Sequence, residues 1–80
     1  MGLLDDMADE LAKLALEDER ATNDVNIVAE VGEILGASSQ TLQEAFLTAV
    51  RVRRAELRAR KMLASRAAAR AKSAKPPPQG

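Results

Sequence analysis

Ala29-Glu30-Val31-Gly32-Glu33-Ile34-Leu35-Gly36-Ala37-Ser38-Ser39-Gln40-Thr41-Leu42 is the stretch in which this chain turns its corner. Ile27, Val31, Ile34 and Leu35 share one helical face, which predicts a helix over about Val25–Leu35. Gly36 sits where a left-handed C-terminal cap is expected. Gly32 lies inside the helix, where glycine costs up to about 1 kcal/mol relative to alanine and suits a close helix–helix approach. Ala37-Ser38-Ser39 reads as a tight turn. The next helix then starts at Ser39 or at the capping box Thr41-x-x-Glu44.

The flanking segments make the chain all-α. Upstream, Leu4, Met7, Leu11 and Leu14 recur at spacings of three and four, predicting a first helix over about Leu3–Arg20. Asp5 and Asp6 fall in its first turn, where the helix dipole favours acids. Ala21-Thr22-Asn23-Asp24 is polar and rich in capping residues. Downstream, Leu42, Phe46, Ala49 and Val50 give a third helix its apolar face. A span of Thr41–Lys72 reaches roughly 48 Å at 1.5 Å per residue. After Leu57 the large apolar residues thin to Met62 and Leu63. Pro76-Pro77-Pro78-Gln79-Gly80 cannot continue a helix and is expected to be extended and disordered.

The expected architecture is two short helices, a long basic third helix and a disordered Pro-rich tail. Its core is a helical hairpin or a trihelical, helix-turn-helix-like arrangement. A helical domain over 1–64 precedes a basic, alanine- and proline-rich tail over 65–80. Leu4, Met7, Leu11, Ile27, Val31, Leu35, Leu42, Phe46 and Val50 are the expected core or self-interface. A core this small supplies only roughly 3–5 kcal/mol. The third helix also outruns what one chain can cover, so a homo-oligomer is expected.

Charge divides the chain in two. Met1–Thr48 carries eleven acids and two bases, a net −9; Ala49–Gly80 carries ten bases and one acid, a net +9. The overall charge of zero hides that split, which points to a charged partner. Arg51, Arg54, Arg58 and Lys61 follow spacings of three, four and three and form one stripe on a helix. With Arg53 and Arg60 they are the expected contact with an anionic partner, either nucleic acid or an acidic protein surface. Like charges a turn apart repel by a few tenths of a kcal/mol per pair, so such a helix favours an anionic surface. The basic segment holds no aromatic residue for base stacking, so nucleic-acid contact there is expected to be backbone-directed and salt-sensitive. Its apolar arc is mostly alanine, which argues against a membrane surface. Folded back on the third helix, the first helix would place Asp9 and Glu17 near these arginines.

Enzyme classes drop out on composition. The chain has no histidine and no cysteine, which removes the commonest general base, the commonest metal ligand and all thiolate chemistry. Asp5/Asp9, Asp6/Glu10 and Glu30/Glu33 are carboxylate pairs at helical spacing, read as solvated acidic faces. No phosphate-binding glycine loop is present. No catalytic, cofactor-binding or metal-binding residue and no small-molecule substrate is therefore expected. No apolar run approaches the roughly 18 residues of a membrane span. Met1-Gly2-Leu3-Leu4 runs straight into Asp5-Asp6, the wrong charge order for a signal peptide, so a cytoplasmic location is expected. Abundant alanine, with arginine ahead of lysine, hints at a GC-rich bacterial or phage genome.

The corner also resembles a helix-turn-helix of the DNA-binding type. Gly32 stands where that family keeps a small residue, and Gly36 where a glycine opens its turn. Leu35-Gly36-Ala37-Ser38-Ser39-Gln40-Thr41-Leu42 matches its Leu-Gly-x-Ser-x-x-Thr-Leu string. The resemblance covers about a quarter of the chain. It implies that the second helix of the motif enters the major groove, with Ser39, Gln40, Gln43 and Glu44 facing the bases. Glutamine pairs with adenine there, and an acid accepts from cytosine. The same string also makes a plain glycine-and-serine corner. The expected function is a non-enzymatic adaptor or accessory subunit that oligomerises and engages an anionic partner through its basic helix. The alternatives are a small helix-turn-helix regulator, a phage-type DNA-packaging accessory subunit, or an inhibitor laying its long helix in a protein groove.

Overall fold

A computed structural model describes residues 2–73. It contains three helices: α1 over Leu3–Thr22, α2 over Ile27–Ser38 and α3 over Gln40–Ser73. There is no strand among the described residues. Lys75 and the proline tail lie outside them.

Local chemistry sets each boundary. α1 opens with the Gly2 carbonyl accepting from the Asp6 N–H at 3.0 Å. It closes two residues later than its apolar pattern suggests, on Asn23 at φ 63°. Asparagine tolerates that left-handed conformation, and its N–H donates to the Glu19 carbonyl at 2.7 Å. The link to α2 bonds to itself. Thr22 Oγ1 accepts from the Asp24 N–H, and Asp24 Oδ1 accepts from the Asn26 N–H.

The corner differs from its expected form. α2 runs through Gly36 to Ser38, and no glycine among the described residues has a positive φ. Gly36 is therefore not a left-handed cap. Its missing side chain instead makes room for Gln43: a Cβ there would lie 2.7 Å from Gln43 Cδ. The turn itself is Ser39, at an extended φ of −153°. Its N–H donates to the Leu35 carbonyl at 2.7 Å and its Oγ accepts from the Leu42 N–H at 3.0 Å. One residue thus ends α2 and caps α3, ahead of the Thr41–Glu44 box.

The core corrects the choice of α1 face. Ala8, Ala12, Ala15, Val28, Phe46 and Val50 are buried, with Phe46 the one large side chain among the described residues that is fully enclosed. Leu11, Leu16, Ile27, Val31, Leu35, Leu42 and Leu47 pack around them half-buried. Leu4 and Met7 are not in the core but exposed at 38% and 44%. The reason is packing distance. Alanines let α1 approach α3 closely, and the larger side chains on the adjoining arc of α1 are left at its edge. Burying Phe46 alone is worth about 1.5–3 kcal/mol.

α1, α2 and α3 as far as Leu57 form a head. Beyond it α3 continues as an arm of sixteen residues, Arg58–Ser73, all exposed except the half-buried Ala67. At about 1.5 Å per residue the arm is roughly 24 Å long. The described residues accordingly measure 65 × 30 × 13 Å.

Candidate anion-binding surface

Three of the six expected anion-contact residues already hold a carboxylate of their own chain. Arg53 grips Asp9 with two hydrogen bonds, Nε to Oδ1 at 2.7 Å and Nη2 to Oδ2 at 2.8 Å. This fork-to-fork pairing ties α3 to α1. The hydrogen-bonded Arg53 guanidinium holds the Asp9 carboxyl below its ordinary range, assisted by the charge of Lys13. Arg53 is raised in turn, chiefly by that same bond. Arg54 Nη2 reaches both oxygens of Glu19 at 3.3 Å. The first helix does fold back on the third, as Asp9 promised, but the second acid bonded is Glu19 rather than Glu17. Arg60 pairs with Glu56 one turn away at 2.9 Å, on an exposed face.

Arg51, Arg58 and Lys61 are exposed and have no salt bridge among the described residues. Three further bases join them that the sequence reading left aside: Arg66, Arg70 and Lys72. Their setting among alanines gave little sign of a surface. The arm carries six bases and no acid.

Helical spacing sorts this region into two sides. Arg51, Arg58, Lys61 and Lys72 fall along one ridge. Val52, Ala55, Ala59, Met62 and Leu63 fall on another arc, continued by Arg66 and Arg70. Val52, Met62 and Leu63 are all more exposed than buried. α3 is therefore amphipathic along a stretch that its own head leaves uncovered.

The corner spends half of its expected base-reading set on itself. Ser39 caps α3. Gln43 turns inward and donates from Nε2 to the Gly32 carbonyl at 2.9 Å, holding α2 and α3 together across the turn. Gln40 and Glu44 are the two that stay exposed. Gly32 is buried, and a Cβ there would meet Leu47 Cδ2 at an ordinary 3.7 Å.

The other surface feature lies between α1 and α2. Leu11, Leu14, Ala15, Ile27 and Val31 line an open hollow of about 180 Å³, with Asp18 at its edge. Leu11 also lines the neighbouring hollow with Met7, flanked by Asp6 and Glu10. The two form one apolar groove with an acidic rim.

Among the described residues no cluster of three or more acids is placed to hold a metal ion. None of the helices there is long and apolar enough to cross a membrane. No protein-family model, curated protein or solved structure matches this chain.

Proposed function

We propose that this chain is a non-enzymatic helical adaptor that assembles with itself and grips the phosphates of nucleic acid through the arm of α3. The observation that carries the reading is the arm itself: sixteen residues, exposed but for Ala67, with six bases, no acid and no contact that would neutralise most of them. A duplex presents one negative charge per about 1.7 Å of axis, so the roughly 24 Å arm spans about fourteen phosphate charges. Directed at such a backbone, the arm's arginines offer bidentate bonds and its lysines point charges to phosphate oxygens, contacts that fix position and carry no sequence information. Base reading at the corner is left to Gln40 and Glu44, an amide and an acid. That end of α3 offers phosphate no base before Arg51, so the arm carries the proposal.

A duplex titration with the full chain at several salt concentrations tests it. If the ridge of Arg51, Arg58, Lys61 and Lys72 makes about four phosphate contacts, log K falls against log salt with a slope near −3.6. The Arg58→Ala/Lys61→Ala variant brings that slope to about −1.8 without changing preference between sequences. Absence of binding at low salt discards the nucleic-acid reading and leaves an acidic protein surface as the arm's partner. Sequence preference lost on Gln40→Ala turns the reading to a base-recognising corner. Gln40 is the right probe because Gln43→Ala also removes a structural bond.

A further inference from the structure

The geometry points to the occupant of the α1–α2 groove: the α3 arm of a second copy, so that the chain assembles head to tail. This rests on the self-assembly half of the proposed function and names the surfaces that perform it. The groove floor is Met7, Leu11, Leu14, Ile27 and Val31. Leu14 in that floor is 50% exposed, and Ile34, one turn beyond Val31 on α2, is 70% exposed. Asp6, Glu10 and Asp18 stand along the α1 side. On α2, Glu30 lies one turn from both Ile27 and Ile34.

Charge selects the occupant. Residues 2–38 carry ten acids and two bases, and only Asp9 and Glu19 of those acids are paired to α3. Two heads docked face to face would bring acidic rim against acidic rim. The arm offers the opposite charge together with the apolar anchors Met62 and Leu63, 61% and 64% exposed. It cannot reach its own groove, because α3 is one unbroken helix leading away from the head.

The register fits as well. An arm antiparallel to α1, with Leu63 midway between Leu11 and Leu14, advances one residue for each residue that α1 recedes. Arg66 then comes level with Glu10, and Arg70 with Asp6. Both arginines lie on the same arc as Met62 and Leu63, so anchors and charges face the groove together. The ridge of Arg51, Arg58, Lys61 and Lys72 turns away from it. Head-to-tail contacts of this kind generate open chains or rings. Each added copy extends a line of outward bases.

Sedimentation velocity on the full chain over a concentration series tests the contact. Leu14→Glu blocks the groove and Leu63→Glu blocks the arm; both sites are exposed, and circular dichroism checks that the helices remain. The wild type is expected to grow past the dimer. Each variant alone is expected to be monomeric. Their equimolar mixture is expected to double in mass to a one-to-one dimer, because one intact groove then meets one intact arm and the chain stops there. If either substitution costs helix, the charge swaps Asp6→Arg/Glu10→Arg and Arg66→Asp/Arg70→Asp replace them: each alone is expected to be monomeric, and their mixture to grow past the dimer as an alternating chain, because both groove–arm contacts are then complementary. Leu63→Glu chains that still self-associate would overturn the arm-in-groove contact while leaving assembly standing through another face. A mixture that stays monomeric overturns the contact too. A wild type that is monomeric at every concentration removes both the contact and the assembly half of the proposed function.

Discussion

Replacing Phe46 by alanine removes the only large side chain among the described residues that the core encloses completely, at 0% exposure. Its buried neighbours are three alanines and two valines, Ala8, Ala12, Ala15, Val28 and Val50. Alanine has no rotamer with which to fill a void, so closing the space falls to the half-buried leucines around the cluster, and much of it stays open. A cavity of about 100 Å³ costs about 2.4 kcal/mol at roughly 24 cal/mol per Å³. The lost transfer energy of the ring adds about 2 kcal/mol. The sum, about 4.4 kcal/mol, matches the roughly 3–5 kcal/mol that a core of this size supplies. Phe46→Ala is therefore expected to leave the head largely unfolded at 25 °C. Phe46→Leu is expected to cost under about 1.5 kcal/mol. Urea unfolding followed at 222 nm reads both, at one fixed protein concentration, because self-association stabilises by mass action. A Phe46→Ala chain that unfolds within about 1 kcal/mol of wild type, with an unchanged denaturant slope, would refute a core centred on Phe46.

Ala12 is 0% exposed, so Ala12→Leu overpacks the core and is expected to cost about 1–3 kcal/mol; thermal melts of Met7→Ala should by comparison move little. Gly32→Ala is expected to raise stability by up to about 1 kcal/mol, because its Cβ fits and the helix gains propensity. Gly36→Ala pushes Gln43 off the Gly32 carbonyl, a loss of about 0.5–1.5 kcal/mol that offsets the propensity gain. It should therefore stabilise only in a Gln43→Ala background, which a double-mutant cycle measures. The Asp9 carboxyl is held low by Arg53, so its contribution is present above the unfolded aspartate range and is lost as pH falls through the folded value. The melting temperatures of wild type and Asp9→Asn should accordingly differ at neutral pH and converge in acid.

All three helices were legible in the residues, and so was the corner between the second and third. Spacing of Leu42, Phe46 and Val50 marks the inner face of α3 because its outer face there is polar. α1 is different. Its apolar arc includes both Leu4-Met7-Leu11-Leu14 and Ala8-Ala12-Ala15, which is more than a helix needs to bury. Side-chain size favours the leucines, whereas the closeness of α3 favours the alanines, and only the packed structure decides between them. Gly36 misled for a related reason: glycine marks either a left-handed cap or a close approach, and the second applies. The inward turn of Gln43 had no local signal, since its partner is a backbone carbonyl eleven residues away. On α3, Arg53 and Arg54 looked like part of one uniform basic run. Their pairing with Asp9 and Glu19 depends on how α1 lies across them.

The single-residue corner at Ser39 has a mechanical consequence. With one residue shared between the end of α2 and the start of α3, there is no slack for a swivel. The far end moves only as a stiff lever bends. A curvature of about 10° beyond Leu57 displaces the tip by roughly 4 Å over roughly 24 Å. Whatever seizes that tip is thus held at a nearly set angle to the head, and a pull on it is transmitted along the rod to Gln43 and the Gly32 carbonyl.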